Sequence, residues 1–322
     1  MILTVTLNPL LERRFYFDNL NGAKTQRASA IHLTAGGKGI NVSRQLNKLG
    51  MDNIALTFLG GQNGKSFRKI IQDEQIKLAP IQIKSEMREA ALIIDKGKRN
   101  VFHHIGPNFI IEKEEAEDFK SKMEKMIENC DIAVFSGSSP CASTDDIFPL
   151  GIEIANKLDK ISILDTYGPH LKTCLRKEPS IIHLNVDEAA SSLNKDLSTE
   201  EAKTEFLREI YKTNKIRRVF LTDGASPFYS SNFDFIYKCE TPAVSEYDPT
   251  GSGDAFIAGV AYSLDQSCTF EETLKFSSAL GALNASTEEV CAVDLAKAQE
   301  LIPSIHVQPI GKRMSALNAD IY

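Results

Sequence analysis

The chain has 322 residues, of which 42% are hydrophobic and 25% charged, a globular composition that argues against a disordered, fibrous or coiled-coil protein. Its 37 Lys and Arg against 43 Asp and Glu give a formal net charge of −6, so no overall field attracts nucleic acid or anionic lipid. No apolar run approaches the ~20 residues that span a bilayer. We therefore expect no nucleic-acid partner and no membrane partner.

The amino terminus and the cysteines indicate the compartment. Residues 1–5 carry neither the basic segment nor the small-residue cleavage site of a signal peptide. No C-x-x-C pair that would indicate a metal site occurs among the six scattered cysteines, which are Cys130, Cys141, Cys174, Cys239, Cys268 and Cys291. We expect reduced thiols and a cytoplasmic protein.

Short apolar runs of strand length recur along the chain, at 2–7, 54–59, 132–135, 161–164, 181–184 and 219–221. Continuous apolar strands are typical of a parallel sheet that helices cover on both faces. Amphipathic helical patterns lie between the runs, as with Phe119, Met123 and Ile127 in the charged stretch 112–129. The alternation predicts a doubly wound α/β fold, although it does not reveal the strand order.

Two stretches interrupt this alternation. Residues 12–33 contain three consecutive aromatic residues, at 15–17, followed by a polar segment. Residues 87–104 contain two short strands, at 90–94 and 100–104, joined by the turn-forming sequence DKGKR. We expect the two stretches to form a small β flap beside the main sheet. The tail from residue 310 onward is weakly patterned, and we expect it to be loosely held.

The glycine-rich segment AGGKGIN at 35–41 precedes a helix that places Val42, Leu46 and Leu49 on one face. Its spacing fits neither a Walker A loop nor the G-x-G-x-x-G fingerprint. The glycines allow a ligand to approach the backbone, while Lys38 offers a charge and Asn41 an amide. The structural alternative is a tight turn with Asn41 as the helix N-cap.

Two further motifs follow apolar strands. In open α/β sheets, ligands bind outside the carboxyl ends of the strands. Asn185 and Glu188, three residues apart at a helix start, could hold a hydrated Mg²⁺ near phosphates, or they could form a capping box. The sequence LTDGA at 221–225 is a weaker candidate for the edge of a nucleotide site.

The sharpest motif is DPTGSGD at 248–254, followed by an apolar run that predicts a buried helix. Residues 251–253 would form the first turn of that helix, where unpaired N–H groups and the helix dipole favour an anion. Asp254 could then accept a proton from an attacking hydroxyl, while these N–H groups stabilise a phosphoryl group in transfer. The structural alternative is a carboxylate that only complements the dipole.

In this order, the four motifs resemble the PfkB (ribokinase-like) carbohydrate kinases over nearly the whole chain. The sequences TLNP at 6–9 and SGSSP at 136–140 are similar to the branch of 1-phosphofructokinase and tagatose-6-phosphate kinase. The resemblance implies an α/β fold, with a three-layer α/β/α core and a mostly parallel sheet over 1–10, 34–85 and 106–322. It also implies a β lid over 11–33 and 86–105, ATP and Mg²⁺ as cofactors, a sugar or sugar-phosphate substrate, and a homodimer that forms through the lids.

The resemblance also implies a role for individual residues. Asp254 would be the base, with an anion hole formed by Gly251, Ser252 and Gly253. Glu188 and Asn185 would organise Mg²⁺ through water. The nucleotide would contact Asn185, Thr222, Gly224, Gly251, Gly253 and Asn284. The sugar would contact Glu12, Gly37, Lys38, Asn41, Arg88, His103 and Ser138.

The chain departs from that branch on the sugar side. Glu12 stands where the branch has Asp, and Ala90 and Leu92 replace an Asn and a Lys of the lid. Fewer donors then surround Arg88, which weakens an anion pocket. A kinase for an unphosphorylated sugar or nucleoside, and a non-catalytic sugar- or nucleotide-binding regulator, are therefore alternatives. A nicotinamide-dependent oxidoreductase is not favoured, because the turn GGQNG at 60–64 has incomplete dinucleotide-binding spacing.

Overall fold

The computed structural model describes residues 1–22 and 24–310, so Ala23 and the predicted loose tail beyond residue 310 lie outside the described residues. The strands, in chain order, are β1 (Ile2–Thr6), β2 (Leu10–Phe17), β3 (Ala30–Gly36), β4 (Asn53–Gly60), β5 (Lys77–Ile83), β6 (Glu89–Asp95), β7 (Asn100–Ile105), β8 (Ile132–Ser136), β9 (Ile161–Asp165), β10 (Ile181–Asn185), β11 (Arg218–Thr222), β12 (Phe228–Asn232), β13 (Phe235–Cys239) and β14 (Val307–Pro309).

The helices cover both faces of the larger of two sheets. They are α1 (Lys38–Lys48), α2 (Gly61–Asp73), α3 (Lys113–Glu128), α4 (Ile147–Lys157), α5 (Leu171–Leu175), α6 (Val186–Leu193), α7 (Glu200–Asn214), α8 (Ser252–Asp265), α9 (Phe270–Ala285) and α10 (Leu295–Leu301), with 3₁₀ turns at Ala142–Thr144 and Ile302–Ser304. None of these helices, within the described ranges, is long and apolar enough to cross a membrane.

The larger sheet runs in the order β14-β13-β12-β11-β10-β9-β8-β1-β4-β5. From β5 to β11 every neighbouring pair is parallel, and β12, β13 and β14 continue the sheet antiparallel. All six apolar runs of the sequence lie in its parallel part. The predicted α/β fold with a mostly parallel sheet is confirmed.

Two hydrophobic cores separate the three layers. One core packs α2, α3, α4 and α7 against the sheet and includes Phe58, Phe119 and Phe135. The other packs α1, α8 and α9 and includes Leu46 and Phe256. The predicted buried helix is α8, whose residues 254–261 are all buried. Since α1 and α8 share one face, their first turns lie near each other at the carboxyl ends of the parallel strands.

The smaller sheet, hereafter the small sheet, has the order β3-β2-β6-β7. The predicted hairpin is present, with β6 and β7 antiparallel, and β2 pairs with β6 in parallel. Alternation along the strands gives the sheet two faces. One face carries Glu12, Leu92 and His103 towards the main sheet, while the other exposes apolar side chains, including Ile31 and Phe102.

Candidate functional site

A cavity of about 820 Å³ lies between the small sheet and the carboxyl ends of the parallel strands. It is lined by strand-end residues, by the first turns of α1, α6 and α8, and by the inner face of the small sheet. The sequence-predicted site residues that line it are Glu12, Gly37, Lys38, Asn41, Arg88, His103, Ser138, Asn185, Glu188, Thr222, Gly224, Gly251, Ser252, Gly253 and Asp254. The fold thus brings together all four motifs.

Asp254 is the most buried carboxylate of the α8 terminus, with a residue exposure of 4%. Asn41 Nδ2 donates to its Oδ2 at 2.7 Å. Burial is the main reason why the pKa of Asp254 rises to about 7, and nearby Asp165 adds to it, whereas Lys38, Asn41 and His183 act in the opposite direction. A carboxylate that titrates near neutral pH can act as a general base.

The turn before α8 has the geometry of an anion site. Gly251 is the N-cap with a φ of 82°, and a Cβ on it would overlap Val290, so only glycine fits. The Ser252 N–H donates to the Pro249 carbonyl at 3.0 Å, so it is not free for the anion hole expected at Gly251, Ser252 and Gly253. Among residues 1–22 and 24–310, no backbone acceptor is found for the N–H groups of Gly253 and Asp254. These two donors, at the positive end of a helix, favour an anion.

Lys38, the first residue of α1, reaches across the cavity to the end of β9 and to the first turn of α6. Its Nζ lies 2.8 Å from Glu188 Oε1 and 3.4 Å from Asp165 Oδ1. Burial would lower the pKa of Lys38, but the three carboxylates Asp165, Glu188 and Asp254 raise it above its usual value. Lys38 therefore carries a permanent positive charge beside the proposed base.

Arg88 extends into the cavity below the small sheet. Its Nη2 donates to the Asn8 carbonyl at 2.7 Å, its Nε to the Pro9 carbonyl at 3.4 Å, and its Nη1 to Asn108 Oδ1 at 3.2 Å. Burial lowers the pKa of this guanidinium. No carboxylate of the described residues lies within ion-pair distance, so its charge is available to an anionic ligand.

Comparison with known proteins identifies this architecture. Residues 10–297 match the model of the pfkB family carbohydrate kinases. The chain belongs to this family. Its members are phosphotransferases that phosphorylate a hydroxyl group, with ATP as the donor. The expectation of a kinase is therefore confirmed.

Individual relatives extend over almost the whole chain. Tagatose-6-phosphate kinase of Staphylococcus epidermidis is 34% identical over 311 residues, which cover 95% of this chain and 99% of the relative. A possible 1-phosphofructokinase from Thermotoga maritima has a TM-score of 0.88 at 22% identity and covers 96% and 99% of the two chains. The tetrameric inhibited form of phosphofructokinase-2 from Escherichia coli has a TM-score of 0.85 at 20% identity, with 94% and 98% covered.

Asn284 is the one predicted site residue that does not line the kinase's cavity. It is 1% exposed, and its Nδ2 donates to the Thr250 carbonyl at 2.8 Å and to Ser252 Oγ at 3.2 Å. Its Oδ1 accepts from the Cys291 N–H at 2.7 Å. The expected contact with a nucleotide is not supported by this placement. Asn284 instead holds the Gly251–Gly253 turn to α9.

The first residues of α1 and α6 test two structural alternatives, Asn41 as an N-cap and Asn185 with Glu188 as a capping box. Asn41 is not an N-cap, because α1 begins at Lys38 with Gly37 as its cap. Asn185 is the N-cap of α6, and its side chain and that of Glu188 form a capping box. The capping box does not remove Glu188 from the cavity, since its Oε1 also accepts from Lys38.

The residues at α6 fit a weakly held Mg²⁺ better than a closed metal cage. Within the described ranges, no group of three His, Cys, Asp or Glu could hold a metal ion. Mg²⁺ usually keeps several waters and takes one or two carboxylates together with substrate phosphates. Glu188 and Asp187, both in the cavity wall, offer such carboxylates. Asn185 is a poorer ligand, because its Oδ1 already accepts the Glu188 N–H at 2.7 Å.

The fold brings three more polar residues, His183, Asp165 and Asn8, to the site. His183 Nδ1 donates to Asp165 Oδ1 at 3.0 Å, and its Nε2 lies 3.1 Å from Thr222 Oγ1. Asn8, just after β1, lines the cavity with a buried Oδ1 that has no partner among the described residues. Asp165 ends an apolar strand and Asn8 closely follows one, and a polar residue in such a position is the sequence signal for both.

The N–H groups of the turn at 60–64 are occupied by a side chain of the protein itself. Glu86 accepts from the N–H groups of Gln62 at 3.0 Å and Asn63 at 2.6 Å, at the start of α2. A protein carboxylate thus occupies the place where a dinucleotide-binding helix would receive a pyrophosphate. The placement agrees with a kinase rather than an oxidoreductase.

Proposed function

We propose that this kinase phosphorylates a hydroxyl of a sugar phosphate, with ATP as the donor and with Mg²⁺. The observation that carries the proposal is the buried Asp254, which contacts Asn41 of the sugar side and lies in the first turn of α8, directly after Gly253. The relationship to a tagatose-6-phosphate kinase supports a phosphorylated acceptor. A pure binding protein would have no need of a buried base, so the regulator alternative is less favoured.

The site suggests how the transfer would proceed. The acceptor hydroxyl would lie against Asp254, which takes the hydroxyl proton as the oxygen forms its bond to the terminal phosphorus of ATP and the bond to ADP breaks. The N–H groups of Gly253 and Asp254 would stabilise the negative charge on the phosphoryl oxygens. Mg²⁺, held near Glu188 through water, would supply additional positive charge. Lys38 and Asn41 would keep the base aligned.

Arg88 is the residue that we expect to bind the acceptor's own phosphate. The test is coupled ADP release over a panel of ketose phosphates, aldose phosphates, free sugars and nucleosides. The variant Arg88→Gln should raise the KM for the best phosphorylated acceptor by about 10- to 100-fold, because it removes a charge-assisted contact. The KM for ATP should change by less than about two-fold.

Arg99→Leu, in the exposed turn between β6 and β7, is the matched control and should leave both KM values unchanged. A best acceptor without a phosphate, or an Arg88→Gln enzyme with the parent KM, would favour the alternative of an unphosphorylated sugar or nucleoside. Absence of ADP release with every acceptor would contradict the proposed function itself.

We also propose that residues 11–33 and 86–105 act as a lid over the core and pair with a second copy. Ile31, Leu33 and Phe102 are 57%, 41% and 45% exposed on the outer face of the small sheet, and such an apolar patch favours association. Sedimentation at micromolar concentration should show a homodimer, and Phe102→Glu should shift it to monomer. Ile110→Glu, at a 71% exposed position outside the small sheet, is the control. A monomeric parent would contradict the proposal.

A further inference from the structure

Arg14 is a buried arginine on the cavity side of β2. Its side chain is only 7% exposed. It lies two residues after Glu12, so the two side chains share one face of the strand. The Arg14 Nε donates to Glu12 Oε2 at 3.3 Å, and its Nη1 donates to the backbone carbonyl of Glu288 at 3.2 Å. Arg14 thus contacts two separate parts of the chain. One is the Glu12 carboxylate of the small sheet, which lines the cavity, and the other is a loop 274 residues further along the chain.

Glu12 is held in a defined position by the small sheet. Its Oε2 also accepts from Thr34 Oγ1 at 2.9 Å. Gly36 leaves room for the carboxylate, because a Cβ on this glycine would lie 2.5 Å from Glu12 Oε1. Two donors from β2 and β3 therefore fix the carboxylate where the cavity opens to the acceptor.

The loop that Arg14 contacts, residues 286–293, supports the Gly251–Gly253 turn. The Cys291 Sγ donates to the Gly251 carbonyl at 3.3 Å, and Val290 packs where a Gly251 side chain would be. Burial and the nearby Glu288 carboxylate raise the pKa values of Tyr16 and Tyr247. Arg14 and Tyr16 of β2 thus both lie near Glu288.

We propose that Arg14 is a positioning residue, which aligns Glu12 for the acceptor and ties that carboxylate to the loop supporting the catalytic turn. The inference rests on the proposed function, since Glu12 is expected to contact the acceptor. Without Arg14, the partly buried Glu12 carboxylate and the Glu288 carbonyl each lose a donor, which is costly. The small sheet and the loop 286–293 would then be held together less tightly.

The kinetic test compares Arg14→Met with Arg13→Met. Arg13 is the matched control, because it is the neighbouring arginine on the opposite face, with its side chain 41% exposed and paired to Glu89 at 2.7 Å. Arg14→Met should raise the acceptor KM by about 10-fold or more, as expected for the loss of a charge-assisted hydrogen bond, and should also lower kcat. The KM for ATP should stay within about two-fold of the parent. Arg13→Met should leave all three constants near the parent values.

Amide hydrogen exchange in the unliganded protein tests the contact between Arg14 and the loop 286–293 independently of activity. Exchange over residues 286–293 should be faster in Arg14→Met than in the parent, and unchanged in Arg13→Met. If Arg14→Met does not fold, Arg14→Lys replaces it, since a lysine can serve Glu12 but not Glu288 at the same time. That variant should keep the acceptor KM near the parent value and still show faster exchange in the loop.

The outcomes separate this inference from the proposed function. An active parent together with an Arg14→Met enzyme that keeps its acceptor KM would overturn the positioning role and leave the function intact. If Arg14→Met has a raised acceptor KM but no faster exchange over residues 286–293, Arg14 does not hold the loop in place. A parent that phosphorylates no acceptor would contradict the function, whereas the exchange experiment would still confirm or overturn the tie.

Discussion

Replacing Asp254 with Asn is expected to lower kcat by about 10³-fold or more, because the variant removes the proposed base. Asn has nearly the same shape and keeps an oxygen that can accept from Asn41, so the packing of α8 should not change. Only the capacity to take a proton is lost. With its pKa raised to about 7 by burial, Asp254 is partly ionised at neutral pH, as a working base must be.

Coupled ADP release with the best acceptor measures this loss, and the KM for ATP should stay close to that of the parent. Asp265→Asn is the matched control, since Asp265 is the exposed last residue of the same helix and lies outside the cavity. Thermal unfolding should show Asp254→Asn at least as stable as the parent, because a buried carboxylate is replaced by a neutral group. A variant that turns over within about ten-fold of the parent would rule out Asp254 as the base.

The parallel part of the main sheet could be predicted from sequence, because strands buried on both faces are continuous apolar runs. The same criterion missed the edge strand β5 and the antiparallel strand β12. β5 is half-buried and contains Pro80, and β12 is FYSSN, in which serines interrupt the apolar pattern. Strand order was not predictable either, because it depends on contacts between segments far apart in the chain, such as the pairing of β1 with both β4 and β8.

The site was predictable where one short motif contains both the glycines of a turn and a charged side chain. The first turns of α1 and α8 were recognisable from glycines next to Lys38 and Asp254. The sequence could not show which polar groups already bond to one another. Asn284 faces the turn rather than the cavity, and Arg14 meets Glu288, because packing of distant elements decides both contacts. The proposed positioning role of Arg14 therefore had no signal in the sequence.

Replacing Lys38 with Met is expected to lower kcat/KM by about 10²-fold, the usual scale for loss of one electrostatic partner in a catalytic site. Lys38 Nζ lies within 4 Å of Glu188 and Asp165, and Asp165 is fully buried. Burial alone would raise the pKa of Asp165, but Lys38, His183 and Ser136 hold it well below its usual range. Without Lys38, three carboxylates around the cavity lose their shared cation.

The pH dependence should change in a defined direction. Lys38 lowers the pKa of Asp254, against burial and Asp165, so its removal should raise that pKa above about 7. A base is active only when deprotonated, and activity is therefore lost as the pH falls through its pKa. In the parent the acid limb of the kcat/KM profile should lie near pH 7. In Lys38→Met this limb should move to higher pH by about one unit or more.

The kcat/KM profile between about pH 6 and about pH 9.5 measures both effects in one experiment. Lys48→Met is the control, because Lys48 ends the same helix with a side chain 45% exposed and pairs with Asp294 at 2.9 Å, away from the cavity. Lys48→Met should keep the kcat/KM of the parent, and its acid limb should lie at the same pH. A Lys38→Met enzyme that loses activity equally at every pH would show that the lysine acts without changing the pKa of Asp254. The predicted effect of the Lys38 charge on the pKa of Asp254 would then be wrong. Lys38, Asp165 and Glu188 would still be part of the site.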